Sequence, residues 1–421
     1  MAAFGPVAGS WVHRLTRMEA HIALPGGRVA LVHDFLLDLR GAERVFLEMC
    51  ALWPEAPLFT AVYDEEGTEG RFADREVNAS FLQRLRPSAR TFRALLPLYP
   101  AAIESFDLSG FDLVVSSSSA WAHAVICDEQ TTHVSYCHNP FRYAWNDRDR
   151  TLAGRRDPVS RAALRALFHR WRQWDWIAAQ RVNGYIANSA TTQRRIQAYF
   201  GRESQVVHPP VETGRFDPAA ATGRGGDHYV VLSELMPHKR IDVAVRAFNE
   251  LRRPLIVAGD GPDIRRLRAI AGPTVRFVGR ISDGEVAELL QTSRALVVTA
   301  IEEFGIAAVE AQAAGRPVFS VGMGGALETV VDGVTGCLWQ GGPAELADAI
   351  SAFDIDSIDP VACVRNAARF DGAVFRRRLP QEIQRILERQ TASVPEHAQA
   401  RRAAPRPALR FSRRVRPRPF M

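Results

Sequence analysis

Two acidic residues, Glu302 and Glu310, stand with seven residues between them in the stretch IEEFGIAAVEAQAAG. Gly305 lies where a helix should begin, so the amides of Phe304, Gly305 and Ile306 would be unpaired donors at the positive end of a helix dipole. Glu310 follows roughly 7.5 Å farther along that helix. The spacing predicts a diphosphate at the helix start and a ribose diol within reach of Glu310.

The same two acids have a simpler interpretation, in which Glu302 caps the helix and Glu310 is solvated. Spacing alone leaves both interpretations open. The elements around the two acids must therefore decide between them.

Those elements are short apolar runs that alternate with helical patterns along the whole chain, which is typical of parallel sheets covered by helices. The predicted strands are RVALVHDF, DLVVSSSS, HVSYCH and GYIANS in the first half, and YVVLSE, PLIVAGDG, TVRFVG, ALVVTA and PVFSVG in the second. A Pro- and Gly-rich segment separates the two series. We therefore expect an α/β fold of two doubly wound, Rossmann-like domains that face each other across a cleft.

Charge is concentrated at the end of the chain. The 421 residues carry a formal net charge of +6, but residues 391–421 alone carry +7, which leaves −1 for the rest. This Arg- and Pro-rich tail is predicted to be disordered and to attach to anionic surfaces. No basic excess or nucleic-acid motif occurs elsewhere, so we expect no specific nucleic-acid partner.

The lengths of the apolar runs and the positions of the cysteines indicate the cellular compartment. No run approaches the roughly 20 residues that cross a bilayer. The five cysteines are scattered and show no metal-type pairing, which fits a reducing cytoplasm. We expect a cytoplasmic protein without a structural metal.

Several motifs, taken in order, resemble one known family. They are VHDFLLDLRGAERV, SYCHNPFRYAW, ANS with PPV, SELMPHKRIDVAVRAFN, VAGDGP, FVGRISD and EEFGIAAVE. Together they are similar to the retaining, nucleotide-sugar-dependent glycosyltransferases of the GT-B fold, family 4, in its mannosyltransferase-like branch. The resemblance covers about residues 28–390.

The resemblance implies a division of the chain. It predicts a disordered leader over 1–26, an acceptor domain over 27–208, a linker over 209–225 and a nucleotide-sugar donor domain over 226–370. A helix over 371–390 would cross back to the first domain, and the tail would occupy 391–421.

The resemblance also implies roles for single residues. Lys239 would neutralise the diphosphate leaving group, Glu310 would bind the ribose hydroxyls, and Arg280 would contact the base. The proposed catalytic residues are His138, Lys239 and Glu302; the proposed donor-binding residues are Gly41, Ala42, Arg280, Glu303, Phe304, Gly305, Ile306 and Glu310. His138 would orient the donor sugar or stabilise positive charge at the anomeric carbon.

Simpler interpretations remain open for three of these residues. Lys239 alone reads as an exposed lysine that opens a helix, and Arg280 as a solvated loop residue. His138 alone reads as a hydrogen-bonded core histidine. Family members also more often have glycine where this chain has Ala42. Alanine allows fewer backbone conformations than glycine at that position.

One departure from the family concerns the leaving group. Glu234 stands five residues before Lys239, where family members commonly have arginine. An acid that faced a diphosphate would be repelled, so we expect Glu234 to turn away or to pair with a cation such as Arg240. Lys239, Arg240 and the helix amides would then handle the leaving-group charge.

These features predict transfer of a hexose, with mannose as the best guess, from a GDP- or UDP-linked sugar to a glycan or lipid-linked glycan. No Asp-x-Asp pair follows a suitable strand, so no metal or further cofactor is expected. Two alternatives are a nucleotide-sugar epimerase of the same fold and a degenerate scaffold tethered by the Arg-rich tail.

A helix predicted within residues 158–179 bears on the acceptor. Its apolar face, which holds Leu164, Leu167, Phe168 and Trp171, lies beside an Arg-rich face. The pattern fits an interfacial helix that meets anionic lipid at the inner face of the cell membrane, or an ordinary domain helix whose stripe lies in the core. The stretch RLRPSARTFRALLPLYP adds a second basic and apolar segment.

Overall fold

A computed structural model of the chain describes residues 27–88, 91–154, 157–217 and 225–392. The predicted leader, most of the predicted tail and residues 218–224 of the predicted linker lie outside the described residues. The described part contains two parallel sheets, one of seven strands and one of six. None of its helices is both long and apolar enough to cross a bilayer.

The first sheet has the strand order β3-β2-β1-β4-β5-β6-β7, and every pairing is parallel. Its strands are β1 (Val29–His33), β2 (Leu58–Thr60), β3 (Val77–Ala79), β4 (Leu113–Ser118), β5 (Thr132–Cys137), β6 (Gly184–Ala187) and β7 (Ser204–Val206). The central strands β4 and β5 are buried along their whole length. Helices cover both faces of such a sheet, which explains the uninterrupted apolar runs in the sequence.

Among the described residues, five α-helices from the first half of the chain lie around this sheet. They are α1 (Gly41–Leu52), α2 (Tyr99–Glu104), α3 (Arg148–Ala153), α4 (Pro158–Arg181) and α5 (Ala190–Phe200). The longest, α4, begins after Asp157, whose carboxylate accepts the amides of Val159 and Ser160. Its apolar stripe packs in the core of the N-terminal domain, so the structure favours the ordinary-helix interpretation of this stretch.

The second sheet has the strand order β10-β9-β8-β11-β12-β13, again with parallel pairing throughout. Its strands are β8 (Tyr229–Leu232), β9 (Leu255–Ala258), β10 (Val275–Gly279), β11 (Ala295–Val298), β12 (Val318–Val321) and β13 (Gly336–Trp339). In both sheets the strand order reverses next to the first strand in sequence, β1 or β8. Ligands of doubly wound sheets bind beyond the carboxyl ends of the strands at this point.

The helices of the C-terminal domain follow its strands in turn. They are α6 (Ile241–Leu251), α7 (Ile264–Ile270), α8 (Asp283–Thr292), α9 (Ile306–Ala313), α10 (Ala326–Thr329), α11 (Pro343–Ala352) and α12 (Pro360–Ala367). The helix α9 is the one that carries Glu310, and it follows β11 as the sequence predicts.

A last helix, α13 (Gly372–Ala392), returns to the N-terminal domain. Its side chains Phe375, Leu379, Ile383 and Ile386 are buried with residues of β1, β5 and α1. Arg376 and Glu48 of α1 form an ion pair at 2.5 Å beside this contact. The helix therefore completes the core of the first domain although it follows the second in sequence.

The predicted fold class is confirmed, and each of the nine predicted apolar runs contains a strand. Four strands were missing from the prediction, namely β2, β3, β7 and β13. The first three are only three residues long. A run of that length shows neither an alternating pattern nor an apolar block, so sequence periodicity does not reveal it.

Candidate active site

A cleft of about 920 Å³ lies between the two domains. The N-terminal domain lines it with the loop after β1, the start of α1 and the segment after β5, which includes His138. The C-terminal domain lines it with the segment before α6 and the turn between β11 and α9. Every residue proposed from the sequence for the site lines this cleft, apart from Arg240.

Lys239 and Glu302 form an ion pair inside the cleft. The ammonium group of Lys239 donates to both carboxylate oxygens of Glu302, at 2.7 and 3.0 Å. Thr299 Oγ1 donates to the carbonyl of Lys239 at 2.8 Å, which ties the segment after β8 to the end of β11. The structure thus brings two of the three predicted catalytic residues into direct contact.

Lys239 is also the only lysine in the chain, since the other 52 basic residues are arginines. An ammonium group is a compact point charge, whereas a guanidinium is a wide planar fork. The chain thus has its single lysine, and not an arginine, in the ion pair with Glu302.

The turn before α9 is held in a conformation that favours glycine. Gly305 has φ of +94°, and Phe304 beside it is buried against the rings of His208 and Phe370. The carbonyl of Glu302 accepts the amide of Gly325 at 2.9 Å, which fixes the other side of the turn. Amides in the first turn of a helix lack intrahelical acceptors, so this turn presents donors and a positive dipole end to the cleft.

Glu310 does not stand alone in the cleft. Its carboxylate accepts from Arg215 at 2.6 Å, and Arg215 comes from the segment that joins the two domains. Burial raises the pKa of Glu310, and Arg215 opposes that rise. A carboxylate positioned in this way accepts hydrogen bonds in a fixed direction, which suits the diol predicted from its spacing.

Arg215 belongs to a network that joins the domains. Asp283, at the start of α8, lies 2.8 Å from Arg44 of α1 and 3.8 Å from Arg215. Sequence reasoning missed all three residues. Arg44 and Asp283 are 239 positions apart, so no local pattern could indicate their contact.

Glu303 makes a second contact between the domains. Its carboxylate accepts from Arg195 of α5 at 2.8 Å and from Arg142 at 3.5 Å. Burial by itself would raise the pKa of Glu303, but Arg142 and Arg195 outweigh it and the pKa is lowered. The carboxylate predicted to bind the donor therefore faces two arginines of the N-terminal domain.

Glu234 pairs with a cation, but not with the one named from the sequence. Arg40 Nη1, at the N-terminus of α1, lies 3.4 Å from both carboxylate oxygens of Glu234. Arg240 instead adopts a left-handed backbone at φ of +53° and donates to the carbonyl of Gly341 at 3.1 Å. The expected pair with Arg240 was wrong, because that residue closes the turn before α6 and its side chain leaves the cleft.

Gly41, one of the proposed donor-binding residues, lies at the interface between the two domains. A side chain added at Gly41 would meet Ile306 of α9 at 3.1 Å, so a small residue keeps the two helix starts close together. Ala42 follows it in α1, and Arg280 follows β10 on the far side of the cleft.

His138 lines the cleft immediately after β5 and is 9% exposed. Its Nε2 lies 2.8 Å from Ser117 Oγ, and its carbonyl accepts from Thr192 Oγ1 at 3.1 Å. Burial, assisted by the nearby His33, lowers the pKa of His138 to about 3. The imidazole is therefore neutral at pH 7.

Two family models match the chain in succession. Residues 39–215 match the model described as Glycosyltransferase Family 4, and residues 222–370 match the model described as Glycosyl transferases group 1. The boundary between the matches falls in the segment that joins the two sheets.

Curated relatives match part of the chain. A D-inositol 3-phosphate glycosyltransferase of Streptomyces avermitilis is 34% identical over 217 residues, which are 44% of this chain and 47% of that protein. A GDP-mannose-dependent alpha-(1-6)-phosphatidylinositol monomannoside mannosyltransferase of Mycobacterium tuberculosis is 31% identical over 204 residues, or 41% of this chain and 53% of that protein. The chain spans about half the length of the curated relatives it matches.

Solved structures share the fold over most of the chain. HepE of Anabaena in complex with UDP has a TM-score of 0.62 at 18% identity and covers 85% of this chain and 99% of its own. Sucrose-phosphate synthase of Thermosynechococcus elongatus has a TM-score of 0.67 at 15% identity, with coverage of 86% and 99%. With its two matched models and its two facing Rossmann-like domains, the chain belongs to the group 1, family 4 glycosyltransferases of the GT-B fold.

Proposed function

We propose that the protein transfers a hexose from a nucleotide diphosphate sugar to a hydroxyl group of a glycan or lipid-linked glycan, with retention of configuration. The observation that carries this proposal is the placement of Lys239 beside Glu302 at the N-terminus of α9, with Glu310 inside the same helix. A cation and helix amides suit a diphosphate, and a fixed carboxylate suits a ribose diol.

The chemistry begins with cleavage of the bond between the anomeric carbon and the phosphate oxygen. Negative charge then grows on the diphosphate, and a cation already in place stabilises that charge more strongly in the transition state than in the ground state. Lys239 and the amides around Gly305 fill this role in the proposal, so no metal ion is required.

Glu302 changes partners in this scheme. A bound diphosphate competes with its carboxylate for Lys239, because both are anions within reach of one ammonium group. Glu302 is then released to accept a hydroxyl of the donor sugar. Retention follows when the acceptor hydroxyl attacks from the face of the departing phosphate and that phosphate takes its proton.

The donor is proposed to be a GDP- or UDP-linked hexose, with mannose as the first choice. One relative is named as GDP-mannose-dependent, and one structural neighbour was solved with UDP. Arg280 lies at the cleft after β10, where the resemblance places the base.

The acceptor is proposed to lie against the N-terminal wall of the cleft. Aromatic and apolar side chains form part of that wall, including Phe35, Phe92, Leu96 and Tyr143, and they alternate with polar and charged side chains such as Arg93. Rings of this kind pack against the apolar faces of sugars and against lipid chains. An acceptor that has both an apolar part and a polar part therefore fits this wall.

A membrane contact beside this wall is part of the proposal. The exposed side chains Phe81 and Leu85 belong to the same short segment as the exposed Arg84 and Arg86, and Leu98 is exposed farther along the chain. Apolar groups flanked by arginines suit the surface of an anionic membrane, and we assign the protein to the cytoplasmic face. This surface replaces the stripe of α4, which is in the core.

A donor screen tests the proposed function. The full chain is mixed with GDP-mannose, UDP-glucose and ADP-glucose in thermal-shift and calorimetric measurements, and the best donor is then tested with glycan and lipid-linked acceptors. We expect one base to bind and its sugar to reach an acceptor with the anomeric configuration kept. Absence of binding by every nucleotide sugar, or epimerisation of the donor sugar, would overturn the proposal.

A further inference from the structure

A chain of buried polar groups joins two residues of the cleft, His138 and Glu43. His138 Nε2 lies 2.8 Å from Ser117 Oγ, and Ser117 Oγ lies 3.1 Å from Nδ1 of His33. His33 Nε2 then lies 3.6 Å from Glu43 Oε1. All four side chains are less than one-tenth exposed, and the ring of His33 is stacked on Phe46.

The hydroxyl of Ser117 carries one proton, and two proton arrangements direct that proton to an imidazole nitrogen of the chain. In the first, Ser117 donates to His33 and accepts from the Nε2–H of His138. In the second, Ser117 donates to His138 and accepts from the Nδ1–H of His33. In the first arrangement the nitrogens without a proton are Nδ1 of His33 and Nδ1 of His138. In the second they are Nε2 of His33 and Nε2 of His138.

Glu43 distinguishes the two arrangements. Its Oε2 accepts the backbone amide of Arg40 at 3.0 Å, and its Oε1 faces His33. A carboxylate repels a bare ring nitrogen and attracts an N–H, so His33 carries its proton on Nε2. The first arrangement is therefore the stable one.

The other carboxylate close to His138 does not disturb this order. Asp34 is fully buried, and its oxygens accept the amides of Ser119, Ala120, Trp121 and Ala122 together with the hydroxyl of Ser119. These five donors hold the carboxylate on the loop after β4.

We propose that Glu43 acts through His33 and Ser117 as a positioning residue, which fixes His138 as the tautomer with a proton on Nε2 and a bare Nδ1. No described residue pairs with that Nδ1, and the imidazole lines the cleft. This part of the inference rests on the proposed function: the unprotonated Nδ1 of His138 accepts a hydrogen bond from a hydroxyl of the transferred sugar. The low pKa of His138 is consistent with this role, because a protonated ring could only donate.

Glu43→Gln is the sharpest test because it changes one group and keeps the shape. The backbone N–H of Arg40 needs an oxygen acceptor, so the side-chain oxygen of the glutamine must stay there. Its NH₂ group must then face His33 and donate to Nε2 of that ring. The proton of His33 then moves to Nδ1, Ser117 reverses, and His138 receives its proton on Nδ1. Glu55→Gln, at an exposed position after α1, is the matched control.

The primary readout is the tautomer itself, measured by long-range proton–nitrogen NMR on the full chain labelled with ¹⁵N-histidine. His138→Gln identifies the signals of His138 among the eleven histidines. We expect a bare Nδ1 in the parent and in Glu55→Gln, and a protonated Nδ1 in Glu43→Gln. A protonated Nδ1 in the parent, or an unchanged tautomer in Glu43→Gln, would overturn the inference.

Kinetics give the second readout. Glu43→Gln and Ser117→Ala should each lower kcat by about 10-fold, the scale of one lost hydrogen bond, while the KM for the donor changes less. Equal kcat for parent and Glu43→Gln, with the tautomer reversed, would overturn the role of Nδ1. A parent that transfers no sugar would instead overturn the proposed function, and the NMR result would stand apart from it.

Discussion

Lys239 Nζ lies 2.7 Å from Glu302 Oε1, so the only lysine of the chain is paired with the first acid of the E-x7-E motif. The two residues are 63 positions apart, and they meet because the segments after β8 and β11 leave neighbouring strands at the same edge of the sheet. In the proposed function, this pair holds the cation in place before the diphosphate binds.

Lys239→Ala should lower kcat by about 100-fold or more, because it removes a cation that interacts most strongly with the charge of the leaving group. Lys239→Arg keeps the charge but not the compact shape, and should lose less. Steady-state transfer measures both. Arg246→Ala on the exposed face of α6 is the matched control, and full activity of Lys239→Ala would refute the leaving-group role.

Glu310→Ala should weaken binding of the nucleoside diphosphate by about 1 to 3 kcal/mol, because a charge-assisted acceptor for the ribose diol is lost. The variant also leaves Arg215 without its 2.6 Å partner. Calorimetry should therefore compare binding of the ribose nucleotide with binding of the 2′,3′-dideoxyribose nucleotide, which has neither hydroxyl of the diol. A loss that is the same for both sugars would show that Glu310 acts only on Arg215.

Arg40 and Glu234 should be weakly coupled. The side chains are 50% and 42% exposed, and exposed ion pairs contribute about 1 kcal/mol or less. Arg40→Ala, Glu234→Ala and the double variant form a cycle that can be measured by donor affinity. Glu234→Arg should tighten diphosphate binding if its side chain reaches the phosphates. Loss of all transfer in Glu234→Ala would contradict the weak contribution expected of its pair with Arg40.

Glu303 should stabilise the protein in a pH-dependent way. Its pKa is lowered in the folded protein by Arg142 and Arg195, so its contribution is present above the unfolded pKa of about 4.3 and is lost as the pH falls through the lower folded value. Glu303→Gln should lower the midpoint temperature of thermal unfolding at pH 7. The difference in midpoint between variant and parent should become smaller towards pH 3. A difference that is constant over this range would exclude the ionic contribution.

The helix α13 should be needed for the stability of the N-terminal domain. Leu379→Ala removes a fully buried side chain from the shared core and should cost about 2 to 5 kcal/mol. Gln384→Ala, at an exposed position of the same helix, should cost little. Chemical denaturation of both variants measures the difference. An equal cost would show that α13 is not part of that core.

Local patterns in the sequence were enough to predict the architecture of both domains. Nine strands of four to six residues were found because buried parallel strands appear in the sequence as continuous apolar runs, whereas the four-residue strand β13 was missed. The start of α9 at Gly305 followed from the order of strand, turn and helical composition. Three-residue strands such as β2 carry no comparable signal.

The partners of the site residues could not be predicted in the same way. Arg215 meets Glu310 from a segment that reads as a linker, and Arg40 meets Glu234 across 194 positions. Such contacts depend on how the two domains face each other, and local sequence patterns do not determine this arrangement. The motifs named many of the residues that line the cleft but not Arg44, Arg215 or Asp283, and the structure was needed to show which side chains are in contact.

Chemical labelling of Lys239 tests the central claim most directly, because its side chain and the N-terminal amine are the only primary amines that the sequence provides. Reductive methylation of the full chain is followed by mass spectrometry, with the nucleoside diphosphate of the preferred donor or the matching nucleoside present, and the N-terminal amine is the internal reference. The account predicts that the diphosphate slows methylation of Lys239 and that the nucleoside does not. Equal methylation of Lys239 with saturating diphosphate and with nucleoside would contradict it.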